Sequence, residues 1–363
     1  MILSVTDRDL ATLIDASATF LERSCGIETI RALEKTADAF EGSWWRQGAE
    51  LGWLSMLVSE KLGGGSVTGD GLMDLVGIVE QLGRHVAPGP LVTSSAALAG
   101  ISGSSDAKRH ADRVDEVISG ATVLTWCAAG VWSGTAPCLR RDGDGFVLSG
   151  VAPRVEAAGR AGLFLVTAGD SQVLVPASAQ GVTVERLPSL DFTRRLGTVS
   201  FADVQVPAEW LVGDEGAAAA DVATQARTAL VLQCAESVGV AERVLEFTMD
   251  YAGDRYSFGR PLASYQALKH RFSDMRTWVE ASAGIVAGAA AADGADADHL
   301  ASVAKAYIGD VLPQLIQDCI QIHGGIGVTW EHDIHIYLRR IELNRALYGT
   351  PADHRHQLAA SAA

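Results

Sequence analysis

QIHGGIGVTW, Gln321–Trp330, followed by LYGT, Leu347–Thr350, is the stretch on which the reading of this chain turns. Upstream stands RYSFGRP, Arg255–Pro261, running into YQALKHRFSDM, Tyr265–Met275. An anion leaving bulk water needs a fixed guanidinium to meet its charge and backbone without Cβ atoms that can approach it closely. Arg255 and Gly324-Gly325 answer that description. Each motif alone also has a plainer reading. Arg255 can end a helix whose C-terminal dipole favours a cation, Gly259 can be a cap, and Gly324-Gly325 an ordinary turn.

Outward from these motifs the chain changes texture twice. From Thr6 to about Ser119 the pattern is helical: Thr6 stands as an N-cap before DRDLATLIDASATFLERS, and amphipathic runs follow at 27–40 and 72–82. Gly and Pro break the period in LGWLSMLVSEKLGGG (51–65) and LGRHVAPGPLVTSSAAL (82–98). From about Gly120 to Gly216 come short β-rich runs, ATVLTWCAAG, GFVLSGV, AGLFLVTA and SQVLVPA, which read as a small barrel or sandwich. From Ala217 onward the pattern is helical again, at 222–251, 265–291 and 301–323, and the Ala-rich stretch 284–298 reads as a helix end and loop. Three segments are therefore expected, 1–119, 120–216 and 217–363.

The 363 residues, 48% hydrophobic and 20% charged, suffice for a large core. With 29 basic against 44 acidic residues the net charge is −15, which disfavours nucleic acid and anionic membrane surfaces as partners. Five dispersed cysteines without a C-x-x-C pair give neither a disulfide framework nor a zinc site, so a reducing cytoplasm is the default compartment. MILSVTDRDL carries acids where a signal peptide has a basic region, and no apolar run reaches spanning length.

With Arg255, Phe258 and Gly259 at one motif and Gln321, Gly324 and Gly325 at the other, the chain resembles the acyl-CoA dehydrogenases. These flavoenzymes place an R-x-x-F-G motif and a Q-x-x-G-G turn around the FAD diphosphate. The resemblance covers nearly the whole length. It implies an α+β fold with an N-terminal α-helical domain, a middle β-barrel or sandwich and a C-terminal four-helix bundle. It also implies that Arg255, Phe258, Gln266, Gln321, Gly324 and Gly325 contact the ADP half of FAD. In this family FAD crosses a dimer interface, with its ring in one subunit and its ADP half held by the neighbour.

The ring-holding duty falls in relatives to a T-E-P-x-x-G-S-D loop and a W-I-T or W-I-S strand. Here the corresponding stretches are TWCAAGVWSGT (125–135) and PRVEA (153–157). Glu156 and Arg154 make a poor wall for an aromatic ring. Trp126, Trp132 and Ser133 are the alternative ring site, with core packing as the plainer reading for the tryptophans. Many relatives draw their base from Glu-Gly-Thr, and the gapless spacing from Gln321 puts Tyr348 at the Glu position. A phenol has an unperturbed pKa of about 10 against about 4.3 for Glu, so Tyr348 is no substitute for a carboxylate base. Its plainer reading is a packed aromatic closing the last turn.

Some relatives carry the base in an E-R step on the first long C-terminal helix, where this chain has Ala229-Leu230. The nearest acid on that face is Glu236, about 10 Å further along the helix. It is a weak candidate base beside its reading as a hydrogen-bonded helix residue. His332 and His335, at i,i+3, invite a metal, yet no third ligand is evident and capping explains them better. Arg339, Arg340 and Arg345 are expected to meet acidic groups of this or a neighbouring chain.

By this resemblance the chain is similar to the shorter subunit of heteromeric, α2β2 actinobacterial dehydrogenases of steroid side chains. It would complete the FAD site of a longer partner subunit, with an acyl-CoA thioester as substrate and an electron-transfer flavoprotein as electron acceptor. The alternatives are a self-sufficient homotetramer using Glu236, and a redox-dead scaffold.

Overall fold

A computed structural model describes residues 7–132 and 134–361. Helix α1 (Arg8–Ser24) begins where the Asp7 carboxylate accepts from the backbone N–H groups of Asp9 and Leu10 at 2.9 and 3.0 Å. Asp7 is thus a cap of this helix; Thr6, the cap expected from the sequence, lies outside the described residues. Leu10, Ile14, Ser17 and Leu21 form its buried face. The run expected to continue to residue 40 stops early: α2 covers Ile27–Ala32, and a 3₁₀ turn follows at Leu33–Lys35. There the Thr36 hydroxyl donates to the carbonyls of Leu33 and Asp38, a local bond that competes with helix propagation.

Four further helices follow: α3 (Gly42–Glu50), α4 (Gly71–Arg84), α5 (Leu91–Gly103) and α6 (Ala111–Ile118). Helix α5 lies in the stretch whose Gly and Pro break the period. Pro90 stands at its N-cap, and its residues are buried around almost the whole circumference, so it carries no amphipathic signal.

The strands are β1 (Leu124–Cys127), β2 (Cys138–Asp142), β3 (Gly145–Glu156), β4 (Leu163–Ala168), β5 (Ser171–Pro176), β6 (Val182–Leu187), β7 (Leu196–Val206) and β8 (Leu211–Val212). They form two four-stranded sheets, β1-β4-β5-β8 and β2-β3-β7-β6. Among the described residues only β1 and β4 run parallel, with Leu124 opposite Leu163, while β3 pairs β7 antiparallel. Phe146 and Leu148 of β3, Phe164 and Val166 of β4, and Val199 and Phe201 of β7 share one core between the sheets. Among the described residues the sheets do not close, so the arrangement is a sandwich and not a barrel.

Helix α7 (Ala219–Asp254) leads to a hairpin of β9 (Tyr256–Ser257) and β10 (Arg260–Pro261). Then come α8 (Gln266–Ala290), α9 (Ala295–His323), α10 (Ile334–Ala346) and α11 (Pro351–Ser361). The Ala-rich stretch is helix on both sides of a short break at 291–294, in keeping with alanine's high helix propensity. Ala301, Ala304, Ile308, Leu312, Leu315 and Cys319 form a buried stripe on α9, which packs against α8, α10 and α11.

Contacts divide the chain into two units. One comprises the residues up to Ile30, Val76–Ala87 and the chain from Leu230, and the other comprises Arg31–Leu75 and Pro88–Ala229. In the first, α4 and α7 touch backbone to backbone. A Cβ on Gly83 would lie 2.1 Å from the Glu236 carbonyl, and one on Gly239 would lie 2.0 Å from that of Glu80. Among the described residues no helix is long and apolar enough to cross a membrane.

Candidate cofactor-binding site

Arg255 follows the last residue of α7. Its N–H bonds to Tyr251 O at 2.8 Å and its carbonyl accepts from Leu262 N at 2.8 Å, while the side chain stays exposed. The turn between β9 and β10 is Phe258-Gly259, with φ of 49° and 80°, the pair of positive values that a tight two-residue hairpin needs. Gly259 adopts this freely, whereas a bulky Phe does so under strain. Phe258 gains no packing in return, being 97% exposed. Tyr265 steadies the hairpin, its hydroxyl donating to Ser257 O at 2.7 Å and its ring lying 3.9 Å beneath the Arg260 guanidinium. Gln266 is exposed at the first position of α8, with Nε2 3.0 Å from His270 Nε2.

Gln321 is exposed in the last turn of α9. Gly324 caps that helix at φ 65°, ψ −139°, a conformation that essentially only glycine adopts. A Cβ at Gly324 or at Gly325 would meet no heavy atom within 4 Å, so this backbone lies open to an approaching group. Ile326, Val328 (77%) and Trp330 are exposed just beyond.

The two motifs are fastened to one another through His323. Tyr251, one turn before Arg255, donates to His323 O at 3.3 Å, and Thr248 Oγ1 lies 3.1 Å from His323 Nε2. The rings of Tyr251 and His332 stand 4.4 and 4.3 Å from that imidazole. Burial, with the His332 ring adding to it, lowers the His323 pKa to about 4 and keeps it neutral at ordinary pH. An exposed arginine and an open glycine backbone, held at two linked helix ends, fit an anionic diphosphate.

The positions expected by resemblance to hold the flavin ring are differently furnished. Glu156, at the end of β3, is buried and ion-paired with buried Arg194, which also donates to Gly89 O at 2.7 Å. Arg154 is exposed with φ 57°. Trp126 is core, its Nε1 donating to Thr167 Oγ1 at 2.9 Å and its ring 5.6 Å from that of Trp132. Ser133 lies outside the described residues. A buried charged pair does not fit a flavin ring at this position.

Tyr348 is half-buried at φ 60°, and its carbonyl accepts from His354 at 2.9 Å. Gly349 leads to Thr350, whose N–H and hydroxyl both donate to Asp353 Oδ2 in the first turn of α11. Sequence reasoning missed Lys305, which sits in SVAKAYIGD without any motif to mark it. Its buried ammonium donates to Gln233, to Asn344 O and to Leu347 O, fixing the end of α10 next to Tyr348. Burial lowers its pKa to about 8.

Glu236 is held at both oxygens, by Arg340 Nη1 at 2.8 Å and by Asn344 Nδ2 at 2.9 Å. Arg340 also donates to Ala87 O at 3.0 Å. Arg345 meets Asp310 and Glu342, whereas Arg339 lies over the Trp330 ring at 5.3 Å. His332 Nδ1 accepts from Ile334 N at the start of α10, and His335 stacks on Trp330 at 4.5 Å. No cluster able to hold a metal ion occurs among the described residues.

Comparison with known proteins gives two family matches: the acyl-CoA dehydrogenase N-terminal domain over residues 8–111 and the acyl-CoA dehydrogenase C-terminal domain over 219–363. The chain is 31% identical to acyl-CoA dehydrogenase IpdE2 of Mycobacterium tuberculosis over 94% of its own length and 93% of that protein's. A variant of the Tcur3481-Tcur3483 steroid ACAD superposes with a TM-score of 0.85 at 27% identity, covering 97% of each chain. The ChsE4-ChsE5 complex from Mycobacterium tuberculosis shares the fold, with a TM-score of 0.88 at 24% identity over 99% of this chain and 98% of that one.

Proposed function

The chain belongs to the acyl-CoA dehydrogenase family, and on that premise we propose that it is the cofactor-completing subunit of an FAD-dependent acyl-CoA dehydrogenase. The family comprises oxidoreductases that act on acyl-CoA with FAD as cofactor. FAD, when bound, supplies the acceptor for the hydride that leaves the acyl β-carbon. Arg255 and the open Gly324-Gly325 backbone would meet its diphosphate, with Phe258, Gln266 and Gln321 against the ADP half. The flavin ring and the catalytic carboxylate would come from a longer partner subunit in an α2β2 assembly.

One observation carries this reading: the residues that would meet the ADP half, Arg255, Phe258, Gln266, Gln321, Gly324 and Gly325, are exposed, while the positions that by resemblance would hold the ring and the base carry Arg154, Glu156 and Tyr348. Glu236 does not restore a base, since both its oxygens are engaged in a buried network. The reaction would be α,β-desaturation of an acyl-CoA thioester, with electrons passing to an electron-transfer flavoprotein. Likeness to the Tcur3481-Tcur3483 steroid ACAD supports both a steroid-derived acyl group and a partner subunit.

The test is flavin absorbance and acyl-CoA-dependent dye reduction, measured on this chain alone and after co-expression with a candidate longer subunit. Colourless alone but yellow and active together is the expected outcome. A chain that is yellow and active alone would reject the proposal in favour of the self-sufficient homotetramer. One that brings flavin to no partner would point to the scaffold.

A further inference from the structure

The unit that contains the β-sandwich encloses a cavity of about 310 Å³, at the lower end of the range typical of small-molecule sites. Four arginines line it, Arg160, Arg186, Arg194 and Arg195, against two acids, Asp38 and Glu156. The acids are already committed: Glu156 pairs with Arg194, and Asp38 lies 3.5 Å from Arg160. Arg186 and Arg195 meet no carboxylate at ion-pair distance among the described residues and turn instead to backbone. Arg195 donates to the carbonyls of Leu33 and Thr36 at 2.6 and 2.8 Å, and Arg186 reaches the same Thr36 carbonyl at 3.4 Å.

Two guanidinium groups therefore converge on one carbonyl, with no carboxylate among the described residues at ion-pair distance from either. Burial and the neighbouring Arg186 lower the Arg195 pKa, outweighing the opposing pull of Asp191 and Asp38. The Arg195 Nε is buried with no hydrogen-bond partner. The remaining wall is largely apolar, including Phe40, Val184 and Leu196.

We propose that this cavity binds an organic carboxylate carried on an apolar body, the carboxylate meeting Arg186 and Arg195 and the body packing against Phe40, Val184 and Leu196. A guanidinium fork matches a planar carboxylate in shape as well as charge, and the apolar wall discriminates against a bare inorganic anion.

The test is calorimetric titration of the full chain with sodium benzoate and, separately, inorganic phosphate, at ionic strength held constant with chloride. Benzoate should bind saturably and more tightly than phosphate. Arg186→Gln, at an exposed residue with one long bond to lose, should weaken benzoate binding by about tenfold or more, the usual worth of a charge-assisted hydrogen bond. Arg195→Gln should do the same where it folds. Arg141→Gln, outside the cavity and paired with Glu215, should bind as the wild type does. The proposal is overturned if benzoate does not saturate, if Arg186→Gln binds as tightly as the wild type, if Arg141→Gln loses as much, or if phosphate binds as well as benzoate.

Discussion

Replacing Glu236 by Gln separates a structural carboxylate from a catalytic one. The Arg340 and Glu236 side chains are 0% and 2% exposed and 2.8 Å apart, so solvent does not screen the charge left behind. The substituted amide would keep the shape but remove the carboxylate charge that faces the Arg340 guanidinium, which also donates to the carbonyls of Val86 and Ala87. Stranding one partner of such a pair costs about 3–5 kcal/mol, a large share of the ~5–15 kcal/mol that holds a domain together. Arg340→Met should cost a similar amount by stranding the carboxylate. The double variant Glu236→Gln with Arg340→Met should lose less than the sum of the two, because it removes both charges of the pair together. Urea unfolding of each variant, in the complex if the chain needs its partner, gives these differences from shifts in midpoint at constant slope. In that complex, below the unfolding transition, Glu236→Gln should retain acyl-CoA-dependent dye reduction. A variant within about 1 kcal/mol of wild type in stability that abolishes turnover would refute the argument and make Glu236 the base.

Phe258→Ala should leave the melting transition nearly unchanged, because the ring is exposed, yet lower the flavin content of the complex; retained flavin would remove Phe258 from the site. Gly324→Ala should destabilise by about 1–3 kcal/mol through backbone strain alone, whereas Gly325→Ala, with open space and no positive φ, should spare thermal stability and reduce flavin retention. His323, only 4% exposed, resists protonation in the folded state down to about pH 4, while the unfolded chain takes up that proton near 6.5. The unfolded state thus binds more protons in that window, and stability should fall as pH drops through it, by up to about 3 kcal/mol. Denaturation midpoints measured across this range should flatten in His323→Gln, and an unchanged slope would exclude His323 as the cause.

What the sequence by itself determined is what lies in contiguous residues. Arg255 to Gly259 and Gln321 to Gly325 are short motifs whose chemistry depends on residue type and spacing, and the lack of a carboxylate at Tyr348 is a matter of identity alone. The α, β, α texture was legible because hydrophobic period is a local property. Tertiary structure decided the rest. Helix α5 has no polar face and so no period, and its existence follows from burial. Glu236 read as an isolated acid until folding set Arg340 against it from 104 residues away, and Lys305 carried no mark until the end of α10 was laid across it. The Glu156–Arg194 pair and the arginine-lined cavity likewise join residues far apart in the chain. Local pattern fixes backbone preference and single-residue chemistry, but the partner of a buried charge is chosen by long-range packing, which no window of neighbouring residues contains.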